Sequence, residues 1–120
     1  MEQLRIHISC KDGITILKPS GKLILDAVSE LRQAIDAKLP ASGENPKLLV
    51  DFDDVSMIGS AGLGILMQVH VSMIKNGGRL AIVNTNATIR HLLTRSRLIT
   101  TFEHFDSESE AISALASPNT

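Results

Sequence analysis

The sequence contains no tryptophan and no tyrosine, and only three phenylalanines, Phe52, Phe102 and Phe105. Single-stranded nucleic acids are gripped by stacking bases on aromatic rings, so this composition disfavours that class of partner. Nor is one sign of charge in excess. Twelve basic and 13 acidic side chains leave a formal net charge of −1, and so no overall pull toward nucleic acid or an anionic membrane. The single cysteine, Cys10, excludes an internal disulfide and any multi-cysteine zinc site. It sits in an apolar alternation and is expected to be a small core residue. The opening Met-Glu-Gln-Leu-Arg lacks the long apolar run of a signal peptide. Only residues 57–74 approach the length of a membrane span, and Gly59, Gly62, Gly64, Gln68 and His70 interrupt them. A buried amphipathic helix fits that stretch better than insertion into a bilayer. A reduced, cytoplasmic protein is expected.

What is present is ordinary globular material: 120 residues, 43% apolar and 21% charged. That length suits one compact α/β domain, expected over residues 1–116, with 117–120 as a fraying tail. Leu4, Ile6, Ile8 and Cys10 alternate with polar residues, as in a half-buried strand. Asp12-Gly13 is a strong hairpin signal, and Ile14 to Lys18 form the return strand. Ser20-Gly21 should bend the chain before a short extended piece at 22–25. Asp26 then caps a helix over 27–39, which Pro40 stops. Leu48, Leu49, Val50 and Phe52 read as a strand buried on both faces, as do residues 80–83. A long helix should run from about Ser60 to Lys75, where Asn76-Gly77-Gly78 ends it. A helix after Asn86, a short strand at 102–105 and a helix capped by Ser107 complete the chain. The fold class is therefore a mixed β-sheet, an opening antiparallel hairpin followed by parallel crossovers, with about four helices.

Charge is distributed unevenly. No acidic residue occurs between Asp54 and Glu103, an interval holding Lys75, Arg79, Arg90, Arg95 and Arg97. The following tail carries Glu103, Asp106, Glu108 and Glu110 without Lys or Arg. Either the two segments pack together and neutralise, or the interval forms a mildly basic docking face for an acidic partner.

The informative segment is Asp51 to Gly64, where a buried strand gives way to a helix opened by small residues. A helix start leaves backbone N–H groups unpaired and partly positive, and Ser60 lies there. A nucleophile elbow would need Gly two residues before that serine, and the position is Ile58. A P-loop would need Lys directly after its glycines, and none appears until Lys75. A receiver-type aspartate site would want an acidic pair after the first strand, where this chain has a hairpin. No set of acid, base and nucleophile remains, so no enzyme activity and no cofactor or metal is expected. His70 has no second His or Cys spaced to share a metal and is expected to be a hydrogen-bonded residue at the core edge.

Leu49-Val50-Asp51-Phe52, Val55-Ser56-Met57-Ile58 and Ser60-Ala61-Gly62-Leu63-Gly64 resemble the STAS domain family, and within it the small bacterial anti-sigma factor antagonists. Ser20-Gly21-Lys22-Leu23 with Asp26, Gly77 to Val83, and Phe105-Asp106-Ser107 extend the likeness along nearly the whole chain in the same order. The resemblance implies a four- or five-stranded mixed sheet with helices mainly on one side, and a phosphorylation-controlled binding module. It implies Ser60 as phosphoacceptor, since the family modifies the hydroxyl residue that opens the helix before Gly-Leu-Gly. It also implies a GHKL-type serine kinase that doubles as anti-sigma factor, and a metal-dependent serine phosphatase that resets the switch. The free protein is expected to be a monomer. The chain departs from the family at Gly59, where an acidic residue is usual, and at Ala61, often Ser or Thr.

The partner-binding residues expected on this basis are Gly59, Ala61, Gly62, Leu63 and Gly64, continued by an exposed stripe of Ile65, Val69 and Met73. Leu63, Leu66, Met67, His70 and Ile74 are expected to face the sheet. Ser56 is expected to be held by loop hydrogen bonds and not to be the acceptor. The alternative function is a stand-alone STAS subunit of a lipid-transport ABC system acting without phosphorylation.

Overall fold

The computed structural model describes residues 5–23, 27–38, 46–97 and 101–116. Leu4, the Asp26 cap, the Pro40 stop and the tail at 117–120 lie outside these residues. Strands β1 (Arg5–Lys11) and β2 (Ile14–Leu23) form the antiparallel hairpin. Asp12 and Gly13 both take positive φ, 53° and 79°, as a two-residue hairpin turn requires. After helix α1 (Ala27–Lys38) come β3 (Lys47–Asp51) and β4 (Val55–Ile58), then α2 (Ser60–Lys75). Strand β5 (Arg79–Val83), α3 (Ala87–Arg95), β6 (Glu103–Phe105) and α4 (Glu108–Ala116) follow.

The six-stranded sheet has the order β1-β2-β3-β5-β6, with β4 paired to β2 off that path. Every pairing after the hairpin is parallel. The expected bend at Ser20-Gly21 is instead an irregularity within β2. Gly21 has φ 116°, and the register shifts between Gly21 and Lys22. β2 pairs with β3 over Thr15–Leu17 and with β4 over Gly21–Leu23, the shift falling inside the second pairing, so one long strand carries β3 and β4 in succession.

Helices cover both faces. Leu31 and Ile35 of α1, Leu63, Leu66, Val69 and Met73 of α2, and Ile89 and Leu93 of α3 pack on Leu17, Leu48, Val50, Leu80 and Ile82. On the other face Ala111, Ile112 and Leu115 of α4 cover Ile14, Ile16, Leu49, Ala81 and Val83. Side chains alternate across β3, so Leu48 and Val50 feed one core while Leu49 feeds the other. This is why β3 reads as a continuous apolar run. Among the described residues strand β1 is an edge, paired on one side only, and Cys10 is exposed rather than buried.

Half of the charge asymmetry is structural. Arg79 donates through Nε to Glu103 Oε2 at 2.9 Å and through Nη1 to the Ala114 carbonyl at 2.9 Å. Its Nη2 also meets Glu103 Oε1. Arg90 lies 4.0 Å from Asp106. Those contacts bind β5, β6 and the C-terminal segment together, as the neutralising reading expects.

Candidate functional site

Strand β4 delivers the chain to Ser60. Its expected loop is a strand because Gly21, Lys22 and Leu23 of β2 pair with Val55, Met57 and Ile58. The Ser56 hydroxyl donates to the Gly21 carbonyl at 3.3 Å, so it fastens this junction. The Gly59 N–H donates to the Leu23 carbonyl at 3.0 Å, and Leu63 N–H donates back to the Gly59 carbonyl at 3.0 Å. Gly59 is thus the N-cap of α2, extended at φ −98° and ψ 178°, and no side chain caps the helix. The first turn also lacks an acidic residue. The first turn and cap of α2 thus supply no anion to its partly positive end. Ser60 is exposed at that end.

The two glycines of the motif have different environments. A Cβ on Gly62 would lie 2.7 Å from Ile58 Cγ1 and 2.9 Å from the Leu23 carbonyl oxygen. The start of α2 is pressed onto β4 and the end of β2, and only a glycine fits. A Cβ on Gly64 would meet nothing within 4 Å. Internal packing does not explain that glycine.

The contact at Gly62 sets the rotation of α2. Leu63, Leu66, Val69 and Met73 follow Gly62 into the core, and Val69 and Met73 are 5% and 3% exposed. The expected exposed stripe is therefore corrected: Val69 and Met73 are core residues and Ile65 is half-buried. At 3.6 residues per turn Val69 points about 180° away from Ser60. Ile74, expected to face the sheet, is 56% exposed, and Val71 is 42% exposed. Gly64, Val71 and Ile74 lie within about 40° of the direction of Ser60, whereas Met67 is half-buried against the core, as expected of a sheet-facing residue. An outward apolar strip thus exists, but it continues the line of Ser60 itself. Met57, three residues before Ser60, adds a further side chain at 47% exposure. Projecting the helix from Ser60, with Gly62 turned inward, would have found this strip in the sequence.

A polar bracket stands behind the site at the ends of β3 and β5. Asp51, 2% exposed, accepts from the Asp53 N–H at 2.9 Å and from Asn84 Nδ2 at 3.0 Å. Burial alone would push its carboxyl up. The Asp53 N–H, the Glu108 and Asn84 side chains and the charge of Lys18 outweigh burial and hold it below the usual value. Glu108, at the start of α4, is pushed up by its hydrogen bond to Asp51, with burial and the Asp51 charge adding to the effect. Asn86 uses both ends of its amide. Its Nδ2 donates to the Val55 carbonyl at 3.2 Å, and its Oδ1 accepts from the Ile89 N–H at 2.8 Å, capping α3. Nearby, Thr85 Oγ1 lies 2.9 Å from His104 Nε2, and Arg90 Nη2 lies 3.5 Å from it. Burial, then the Arg90 charge, lower the His104 pKa against the pull of Asp106.

His70 departs from expectation. Its Nδ1 is buried and has no hydrogen-bond partner among the described residues. Its ring instead meets Phe102 edge to face, with centroids 5.5 Å apart. Among the described residues no group of three or more His, Cys, Asp or Glu side chains could hold a metal ion, and no helix is long and apolar enough to cross a membrane.

The STAS domain pattern matches residues 5–111. A candidate anti-sigma factor antagonist of Thermotoga maritima is 26% identical over 101 residues, covering 84% of this chain and 88% of that one. An anti-sigma F factor antagonist of Paenibacillus polymyxa is 22% identical over 112 residues, covering 93% and 95%. In fold, the crystal structure of an anti-sigma factor antagonist from Mycobacterium paratuberculosis superposes with a TM-score of 0.84 at 24% identity, covering 96% of each chain. By the match over residues 5–111 and the order of its strands and helices, the chain belongs to the STAS domain family.

Proposed function

We propose that the protein is an anti-sigma factor antagonist whose affinity for its partner is set by phosphorylation of Ser60. The partner on this reading is a GHKL-type serine kinase that also serves as the anti-sigma factor, and a metal-dependent serine phosphatase restores the unmodified form. The observation that carries the reading is the exposed Ser60 residue at a helix start whose cap, Gly59, has no side chain, in line with the exposed Val71 and Ile74. The descriptions of the Thermotoga and Paenibacillus relatives support it.

Magnitudes favour a switch in binding over a switch in fold. A phosphate adds about −1.5 to −2 charges. At a helix N-terminus such charge favours the helix by about 0.3–1 kcal/mol. Left unpaired in a closed interface, a charge costs about 3–5 kcal/mol. Phosphorylation would leave the domain folded and expel the partner. Gly59, Ala61 and Gly64 shape the approach to Ser60, whereas Gly62 and Leu63, expected beside them, are buried against the protein's own core. Val71 and Ile74 supply the apolar contact in place of Val69 and Met73.

Affinity capture from native extract, with wild-type and Ser60→Asp proteins as bait, tests the proposal. Mass spectrometry should find a kinase of this type on wild type, absent from the Ser60→Asp bait, and phosphate on Ser60. Recovery of transporter subunits on both baits alike would favour a subunit of a lipid-transport system instead.

A further inference from the structure

We propose that the edge strand β1 takes up an acidic extended segment of a partner protein as an additional antiparallel strand. Among the described residues β1 is paired on one side only, by β2. Lys11 faces Ile14 across the two-residue turn, the pair that such a turn closes with hydrogen bonds. Alternation along the ladder then turns the backbone N–H and C=O groups of Arg5, His7, Ser9 and Lys11 toward β2, and those of Ile6, Ile8 and Cys10 away from it. Over the seven residues of β1 the outward groups form a template about 24 Å long.

The side chains sort in the same way. Arg5 faces Ser20, His7 faces Lys18, Ser9 faces Ile16 and Lys11 faces Ile14, so all four lie on the face that α4 covers at Ile14 and Ile16. Arg5, His7, Ser9 and Lys11 are themselves exposed, so that cover stops short of β1. Ile6 and Ile8 fall on the opposite face and pack half-buried against the core beneath α1 and α2. Strand β1 therefore offers basic side chains on one face and an apolar ledge on the other. It contains no acid. Of the acids around it, Asp54 lies 3.8 Å from Lys18, Glu108 is within reach of the charges of Lys11 and Lys18, and Asp12 belongs to the turn. Arg5, His7 and Lys11 make no ion pair among the described residues.

Charge selects the occupant. A second copy of this chain is the less suitable one. Centred on Ile8, the antiparallel pairing with most overlap sets Arg5 against Lys11, and like charges directly opposite are unfavourable. A segment with carboxylates at alternate positions would set them against Arg5, His7 and Lys11, with apolar residues between them against Ile6, Ile8 and Cys10. Ser60 opens α2 on the other face of the sheet, so a phosphate there does not meet this contact. Basic side chains also guard a bare edge against self-association, and a guard alone would bind no peptide.

Peptides of seven residues, the length of β1, test this. One alternates glutamate with valine, one alternates lysine with valine, and one is the Glu peptide with its valine amides N-methylated. Fluorescence anisotropy at low and physiological salt reads their affinities. The Glu peptide should bind at least about fivefold more tightly than the Lys peptide at low salt, and the difference should shrink as salt rises. N-methylation should weaken it at least about tenfold, because the valines carry the bonds to Ile6, Ile8 and Cys10. Bound Glu peptide should slow amide exchange at those residues. Arg5→Glu with Lys11→Glu should reverse the charge preference. If that variant does not melt cooperatively, Arg5→Gln with Lys11→Gln should bring the preference toward equality. Cys10→Pro removes one outward N–H and no bond to β2, so it should weaken the Glu peptide while the melting temperature stays close to wild type. No saturable binding of the Glu peptide up to about 1 mM would leave the basic residues as a guard only and overturn the proposal. Equal affinities for the Glu and Lys peptides, or a preference that the substitutions leave unchanged, would also overturn it. So would equal affinities for the methylated and unmethylated Glu peptides, which would reduce the contact to attraction for any polyanion. A dimer of the chain that Cys10→Pro abolishes would give the edge to a second copy instead.

Discussion

Gly64 lies one helical turn beyond Ser60 on the outward side of α2, and beyond its own helix turn a Cβ there would meet no described residue within 4 Å. Gly62, two residues nearer the start, would place its Cβ 2.7 Å from Ile58 Cγ1. One glycine is required by the fold and the other is not. Gly64→Ala should therefore raise stability by about 0.5–1 kcal/mol, because alanine is the better helix former. It should also weaken partner binding, since the methyl group enters the approach to the strip. Gly62→Ala should lower stability by about 1–3 kcal/mol through overpacking. Thermal melts of the two variants separate them.

The same contrast applies further along the helix. Val69→Asp would bury an unpaired charge in the core and should cost several kcal/mol or prevent folding. Val71→Asp, on the strip, should change stability by no more than about 0.5 kcal/mol yet abolish binding. A Val71→Asp protein that melts normally and still binds its partner would remove the strip from the interface.

Gly59 caps α2 without a side chain. Gly59→Asp would supply both an acceptor and a favourable charge at the helix start. The gain should be a few tenths of a kcal/mol from the cap, plus about 0.3–1 kcal/mol from the charge. Chemical denaturation in low salt should show it, and high salt should remove the second part.

Asp51 and Glu108 give the protein a defined pH response. Glu108 has its pKa raised, so its contribution is fully present below its ordinary value of 4.5 and is lost as pH rises through the raised value. Asp51 has its pKa lowered, so its contribution is present above 3.8 and is lost as pH falls through the lowered value. The charged groups facing the pair are Lys18 and Lys11. Glu108→Gln keeps a donor toward Asp51 at every pH. Its melting temperature relative to wild type should therefore rise from about pH 4 to about pH 8. A difference that stays flat would show that Glu108 does not share a proton with Asp51.

Much of this architecture is legible in the sequence because local signals and burial agree. Asp12-Gly13 makes its turn, Asn86 and Ser107 lie at the starts of α3 and α4, and β3 and β5 are apolar without interruption because helices cover both faces. Strand β4 is not legible. Its burial runs buried, exposed, exposed, buried, so no alternation marks it, and its pairing with β2 skips a residue, Gly21 facing Val55 and Lys22 facing Met57. Cys10 misleads for a related reason: alternation identifies a strand, but only the sheet order makes β1 an edge. Apolar residues on several sides of α2 leave its rotation open in the sequence. The close approach at Gly62 decides it.

On the proposed reading, one phosphate on Ser60 controls docking without unfolding the domain. The most direct measurement is calorimetric titration of the purified partner into protein carrying phosphoserine at position 60, beside the unmodified protein and Ser60→Ala. Phosphorylation should weaken binding by at least about 100-fold, the equivalent of some 3 kcal/mol, with the melting temperature unchanged or slightly higher. Ser60→Ala should bind like the unmodified protein. Equal affinities for the phosphorylated and unmodified forms would contradict the account.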